Sequence, residues 1–507
     1  MTYDYHSQVS SIYLGKDIER LPLLDNFIKN KKFSYHKGDL EPYDRVYEFH
    51  DQHSLYNTTE ENHDLTEEPL SLSRRKWLVL AAAFLAGIEF NGISYCWGVF
   101  QDYYQREMFG NDDETKLKLT FIGTTISFMS LTMFSPTEYI VSKIHFRGAL
   151  LFVIALVFCG FAAAPFCTQI WQLYISLVIC TGTGFGILFS VCIFSIAQWF
   201  SDQEINTAYG ILFASTGVAG STIPFLVTWI SEHWSMQCAY HSLNSICLLF
   251  NIIALIIIRE KPHHQVMDHQ ETQTRSLKEY ESEEEVIAEI ITVKHFHSHE
   301  DTNIESLSNR SLLRKVYLLV LNNPSILTWL IIGFLRSTVD ISPFTFLPSY
   351  ATFIGLSPMQ GAITIALMSI TSTIGPICTG FIADFWLEKV DTLIIFTAGF
   401  SVSALGWVFS YNYNALLLSA ALMGFCSPSY FTLAIPVLGD ITDPNVFSFS
   451  ISVAYFVNAV GIIAGPFAAN AIESIFSIEP FMTHKLGCFF IPGLTIIFIF
   501  LFKMKLK

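Results

Sequence analysis

The chain has 507 residues, 51% of them hydrophobic and only 14% charged, with a formal net charge of −15. Soluble domains carry about 25% charged residues, so a mean hydropathy of +0.43 indicates a polytopic membrane protein and excludes a single aqueous-style core. The acidic balance lacks the basic surface that nucleic-acid binding uses, and most of the acids lie in two polar regions, 1–73 and 259–322.

Residues 1–73 are polar and mixed in charge, and a disordered cytosolic tail is expected to about residue 75. Asn57-Thr58-Thr59 has the form of a glycosylation acceptor, but the orientation argued below leaves it in the cytosol. No apolar secretory core opens the chain, so the first apolar run is expected to act as an uncleaved anchor. Runs of spanning length follow at 77–103, 117–142, 148–165, 170–198, 205–231 and 237–258. After a polar gap they resume at 324–353, 358–384, 390–411, 414–440, 446–470 and 484–503. The predicted fold is an all-α membrane protein, with twelve transmembrane helices in two pseudo-symmetric six-helix bundles. The bundles cover 76–258 and 323–507, and a mostly disordered cytosolic linker, 259–322, joins them. Several runs exceed the ~20 residues a span needs, which implies tilt or kinks. Pro224, Pro343, Pro376, Pro436 and Pro466 are the candidate kink sites.

Basic residues set the orientation. Arg74, Arg75, Lys76, Lys143, Arg147, Arg259, Lys261, Arg314, Lys315, Lys503, Lys505 and Lys507 fall at one end of the spans; Arg106, Lys116, Lys118 and Lys485 fall at the other. Both termini and the linker are therefore expected in the cytosol. In the linker, His295, His297 and His299 alternate and would share one face of a strand; a solvated loop is the reading adopted, with no metal site. All ten cysteines lie in or beside apolar runs without CxxC or CxxH spacing, which suits packing rather than a disulfide framework. Gly182, Gly184 and Gly186 form GTGFG inside an apolar run. No strand precedes it and no GK[ST] follows, so close helix packing accounts for it rather than nucleotide binding.

The two halves repeat. Setting GVFQDYY (98–104) against TFLPSYA (345–351) aligns Tyr103 with Tyr350 and puts Glu89 opposite Arg336. SPTEYIVSKIHFRGALLF (135–152) likewise matches GPICTGFIADFWLEKVDTLIIF (375–396). An ionisable group in mid-membrane costs at least about 2.5–3.5 kcal/mol on insertion scales and marks a functional candidate; Glu89, Arg336 and Asp340 qualify. Arg336 and Asp340 are spaced i,i+4 and share a helix face. They can neutralise each other, gate the halves, or leave the guanidinium free to fork onto a carboxylate or phosphate of the substrate. Glu89 has no base at i±3 or i±4, so its partner is Arg336 or a proton. Asn91, Tyr95, Trp97, Thr338, Phe344, Tyr350, Tyr430, Tyr455 and Asn458 are candidates to line a cavity; Arg336, Tyr95, Asn91 and Tyr350 are taken as substrate-binding residues, and Glu89 and Asp340 as the proton-coupling or charge pair. Near the cytosolic end, Asp384 is the expected gating latch, acting on the fifth or eleventh helix, with Glu138 at the same end.

Three of these stretches carry a family resemblance. GISYCWGVFQDYY (92–104), AQWFSDQEINTAYGILFASTGVAGSTIPFLV (197–227) and GFIADFWLEKV (380–390) resemble elements of the major facilitator superfamily, and within it the monocarboxylate-transporter family, particularly its fungal members. The resemblance spans about 77–505. It implies two parallel six-helix halves related by a pseudo-two-fold axis along the membrane normal, with alternating access about a midplane site. Departures from the family pattern accompany it. Tyr95 stands where characterised acid transporters carry a Lys, Gly375 or Pro376 where they carry an Arg, and Asp202 and Glu204 where basic residues are usual. Ser142 stands opposite Asp384, so the loop after the second helix has lost its acid. The resemblance therefore transfers the fold, while a residue-by-residue lactate-plus-proton mechanism does not carry over.

The expected function is secondary active or facilitative transport of a small organic anion, monocarboxylate-like, by alternating access. Proton linkage through Glu89 or Asp340 is one mode and facilitated diffusion the other. Alternatives are transport of a vitamin-like or aromatic solute such as riboflavin, and a transporter-like nutrient sensor whose long tails give the output. No enzyme constellation and no cofactor site is expected. The partners are a small-molecule substrate, a proton in the coupled mode and the bilayer, with a monomeric functional unit. The plasma membrane is the first expectation for location and the vacuolar membrane the second.

Overall fold

A computed structural model describes residues 70–110, 112–260, 323–443, 446–476 and 479–506. The expectations placed on the tail, on Asn57-Thr58-Thr59 and on the linker histidines lie outside the described residues. The described helices belong to one unit, Pro69–Lys507.

The first half runs α1 (Leu70–Tyr103), α2 (Asp113–Thr132), α3 (Phe134–Ala163), α4 (Ile170–Trp199), α5 (Ile205–His233) and α6 (Met236–Ile257). The second runs α7 (Pro324–Asp340), α8 (Ser342–Phe353), α9 (Pro358–Phe385), α10 (Lys389–Val408), α11 (Tyr413–Cys426), α12 (Ser429–Ile441), α13 (Phe447–Phe476) and α14 (Met482–Leu506). α7 with α8 makes the seventh span and α11 with α12 the tenth.

Among the described residues, eleven helical stretches are long and apolar enough to cross a membrane. The span placed at 117–142 is divided between α2 and the start of α3, on either side of Met133. Pro136 has no N–H to donate to the carbonyl of Thr132, which weakens the helix at that turn. The turn between the second and third spans falls inside α3 at His145, whose φ of 59° is the left-handed region. Glu260, after α6, steadies that turn by accepting the Phe146 amide at 3.1 Å. α1 begins at Leu70, within the stretch assigned to the tail. Its charged first turns are held in place: Lys76 pairs with Glu204 at 2.6 Å and the Arg75 guanidinium lies over the Trp199 ring at 5.5 Å.

One end of the bundle gathers the basic residues. Beside the Lys76–Glu204 pair it holds Lys389–Asp440 at 2.8 Å and Lys503–Asp391 at 2.5 Å. We call this the basic end. Of the predicted kink sites, Pro343 coincides with a break, at Ile341 between α7 and α8, whereas α5, α9, α12 and α13 run through Pro224, Pro376, Pro436 and Pro466. The tenth span breaks at Ser427-Pro428.

The halves meet most closely along α5 and α9, with α2 against α13 as the second seam. Small residues permit the first approach. A Cβ at Gly217 would fall on the Ser369 carbonyl and the Thr373 amide of α9, and one at Gly380 on the backbone of Asn206 and Thr207. The second seam is aromatic: Phe121 of α2 stacks on Phe467 at 4.8 Å, and just beyond it Phe134, the first residue of α3, stacks on Tyr455 at 4.4 Å.

Candidate functional site

Between the halves lies a cavity of about 400 Å³. α1 contributes Asn91, Tyr95, Trp97 and Gln101, and α2 contributes Thr120, Thr124, Ser127 and Ser130. Thr120, Thr124 and Ser127 recur at helical spacing, so they form one polar face. This face lowers the hydropathy of the second span, and it is the signal in the sequence that would have found these residues. Phe189, Phe213 and Thr216 come from α4 and α5; from the other half come Asp340, Phe344, Thr345, Ser427, Phe431 and Tyr455.

Aromatic rings face each other across the halves. Tyr95 and Phe344 meet edge to face with centroids 5.2 Å apart, and Phe213 and Phe431 lie 6.2 Å apart. The amide and indole groups are partly spent inside the first half: Asn91 Nδ2 donates to the Gly87 carbonyl at 2.9 Å, Trp97 Nε1 to the Leu119 carbonyl at 3.0 Å, and Gln101 Nε2 to Thr120 Oγ1 at 2.9 Å. Asp340 is the charged side chain on the wall; no Lys, Arg or His is among the residues that line it.

The structure separates the charges that the repeat aligned. Glu89 is buried inside the first half, where Asn251 Nδ2 of α6 donates to its Oε1 at 2.6 Å and the Cys247 thiol lies against the carboxylate. It does not line the cavity, although the next two residues, Phe90 and Asn91, do. Arg336 is only 1% exposed. Its Nη2 lies 3.2 Å from Asp340 Oδ1 and donates to the Ser427 carbonyl at 2.5 Å, while the guanidinium sits over the Phe400 ring at 4.3 Å. Asp340 is therefore presented to the cavity, and Arg336 stands behind it.

Of the four residues read as substrate-binding, Tyr95 and Asn91 line the cavity, while Arg336 and Tyr350 do not. Tyr350 belongs to the core of the second half: its hydroxyl donates to the Ser410 carbonyl at 2.9 Å and the Lys485 ammonium lies over its ring at 4.2 Å. Among the further candidates, Trp97, Phe344 and Tyr455 are on the wall, whereas Tyr430 and Asn458 bond each other at 3.3 Å behind it.

At the basic end, Asp384 at the close of α9 reaches across to the start of α5. Its Oδ1 accepts from Asn206 Nδ2 at 2.7 Å, and its Oδ2 accepts from the Thr207 amide at 2.7 Å and the Thr207 hydroxyl at 2.5 Å. A helix N-terminus offers free N–H groups and the positive end of the dipole, so a carboxylate is well placed there. Ser142, which stands opposite Asp384 in the repeat, only bonds back to the Tyr139 carbonyl at 2.8 Å. One turn earlier, the Glu138 carboxylate lies beside the Ser448 side chain at the start of α13. Asp384→Ala removes charge-assisted bonds worth about 1.5–3 kcal/mol each. It is expected to lower transport about tenfold at unchanged protein abundance, and Asp384→Glu to restore part of it. Uptake in cells, normalised to protein at the membrane, checks this.

A family model described as the Major Facilitator Superfamily matches residues 79–398. The mouse (Mus musculus) protein named Monocarboxylate transporter 12 is 21% identical over 399 residues, covering 77% of this chain and 78% of its own length. The Saccharomyces cerevisiae Riboflavin transporter MCH5 is 22% identical over 424 residues, covering 82% of this chain and 75% of its own. The chain superposes on the proton:xylose symporter XylE, bound to 6-bromo-6-deoxy-D-glucose, with a TM-score of 0.66 at 13% identity, covering 85% of this chain and 96% of that one. It also superposes on the human organic anion transporter MFSD10, with a TM-score of 0.57 at 12% identity, covering 86% and 100%. These two likenesses are of fold.

Proposed function

The chain belongs to the Major Facilitator Superfamily, and from that membership we propose that it carries a flat, aromatic, hydrogen-bonding organic solute across the membrane by alternating access of the cavity between its halves. The observation behind this reading is the wall of the cavity: opposed aromatic rings from both halves, amides and hydroxyls between them, and no basic side chain. Ligand sites of this kind bury an apolar body and orient it with a few polar groups, and aromatic walls favour flat π systems. The volume of about 400 Å³ falls in the range of drug-sized sites, about 300–1,000 Å³. The Riboflavin transporter MCH5 among the relatives is consistent with such a solute.

The second reading, a small monocarboxylate-like anion, is favoured by likeness to the Monocarboxylate transporter 12 proteins. An anion calls for a cation or clustered donors, and Arg336 is engaged by Asp340 and Ser427. Proton linkage falls to Asp340, the carboxylate on the wall, rather than to Glu89. We place the basic end in the cytosol and the protein in the plasma membrane.

Uptake into cells producing the protein tests this, with riboflavin, benzoate and L-lactate offered in parallel at two external pH values. Riboflavin should enter above the empty-vector control and lactate should not. Lactate entry with no riboflavin entry would reverse the order of the two readings.

A further inference from the structure

Two spans are broken at the cavity wall, and their breaks meet. α7 ends at Asp340 and α8 begins at Ser342; α11 ends at Cys426 and α12 begins at Ser429. The causes are Pro343 and Pro428, neither of which has an N–H for the carbonyl four residues earlier. At the first break, the Cys488 thiol turns to the freed Val339 carbonyl at 3.8 Å. Asp340, Ile341, Ser427 and Pro428 from the two breaks all line the cavity.

Arg336 joins the breaks. Its Nη2 donates to the Ser427 carbonyl at 2.5 Å and lies 3.2 Å from Asp340 Oδ1, which also accepts the Ser427 hydroxyl at 2.6 Å. The two remaining guanidinium nitrogens, Nε and Nη1, are buried without a hydrogen-bond partner. A guanidinium placed to bind a solute would turn its fork outward; this one is sealed behind the wall. Asp340 differs. With 22% of its side chain exposed, it lines the cavity, and its contacts with Arg336 and Ser427 both fall on Oδ1. Arg336 already offsets its charge, so a second cation would gain little there, whereas a neutral donor completes the acceptor.

We propose that Asp340 is the specificity-determining residue of the cavity, accepting an uncharged N–H or O–H donor of the solute on Oδ2, and that Arg336 is a positioning residue that holds this carboxylate at the junction of the two helix breaks without touching the solute. The assignment rests on the reading of the cavity as a site for an aromatic solute. It extends that reading to the atom that is recognised and to the kind of group that meets it.

The experiment uses purified full-length protein and flavin fluorescence. Three probes share one ring system: riboflavin, which has an imide N–H; 3-methylriboflavin, which lacks it; and flavin mononucleotide, which adds a phosphate. Riboflavin should bind the unaltered protein about tenfold or more tighter than either of the others, since an unmade bond to a desolvated acceptor is costly. Asp340→Asn keeps the size and puts an amide donor where Oδ2 stood. It should weaken riboflavin about tenfold and leave 3-methylriboflavin within about twofold. Arg336→Lys keeps the charge but cannot reach both Ser427 and Asp340, and should bring the riboflavin to 3-methylriboflavin ratio toward one. Equal binding of riboflavin and 3-methylriboflavin by the unaltered protein overturns the assignment of Asp340, and needs no variant to fold. Tighter binding of the mononucleotide, retained in Arg336→Lys, overturns the role given to Arg336 by making it a solute ligand. Riboflavin binding that is tight but unchanged in Asp340→Asn removes this inference and leaves the transport reading standing. No binding of any flavin removes both.

Discussion

Exchanging Glu89 and Arg336, as Glu89→Arg with Arg336→Glu, is expected to yield no folded protein, and neither half of the swap should rescue the other. The repeat sets the two residues at one register, which invites the idea of a direct pair. Their partners are local instead: Asn251 for Glu89, and Asp340 with Ser427 for Arg336. Each substitution buries a charge without its counter-group, which costs about 3–5 kcal/mol. Sites that share no partner add, so the double variant loses on the order of 6–10 kcal/mol. Domains are stable by only about 5–15 kcal/mol. Size-exclusion chromatography of the detergent-extracted protein reads the outcome, and a monodisperse double variant beside two aggregated single variants would establish a direct pair. Glu89→Gln, which keeps the acceptor for Asn251, should fold and transport within about threefold of the unaltered protein. Its pH profile should be unchanged, because the acid lies off the cavity.

Gly217→Val should abolish most transport while leaving the protein abundant, and Gly375→Val should fail earlier, at folding. Both glycines face backbone. A Cβ at Gly217 meets Ser369 and Thr373 on α9, in the opposite half; one at Gly375 meets the carbonyl of Phe425 in its own half. Overpacking costs about 1–3 kcal/mol. At Gly217 that cost falls on the α5–α9 seam between the halves, so it disfavours the state of the cycle in which that seam is packed relative to the other. A penalty of about 1.4 kcal/mol is a tenfold shift in population, and transport should drop about tenfold or more. At Gly375 no rearrangement of the halves relieves the clash, so the penalty falls on the bundle itself. Uptake and membrane abundance, measured together, separate the two. Equal loss of abundance in both variants would mean that the α5–α9 seam forms as part of folding and not as part of the cycle.

The sequence by itself determined the class, the helices and the two-fold repeat, because a bilayer forces every backbone polar group into helices or closed barrels and makes spans legible as apolar runs. It also carried the place of Asp384: an acid after the eighth span, in a half-chain that repeats the first, can be assigned an end of the bundle from charge alone, and the structure puts it against Asn206 and Thr207 there. What it did not carry is rotation. Lipid and a helical core are both apolar, so hydropathy does not tell which face of a span looks inward. That is why Tyr350, polar and aromatic, suits a cavity by its sequence and yet packs in the core, and why hydropathy does not distinguish the cavity face of Thr120, Thr124 and Ser127. Arg336 and Asp340 are one turn apart, and nothing in their spacing tells which of them lines the cavity. The tertiary structure decided that. Pro343 and Pro428 break two spans side by side, the free carbonyl of Ser427 captures the guanidinium, and the carboxylate is left facing the cavity.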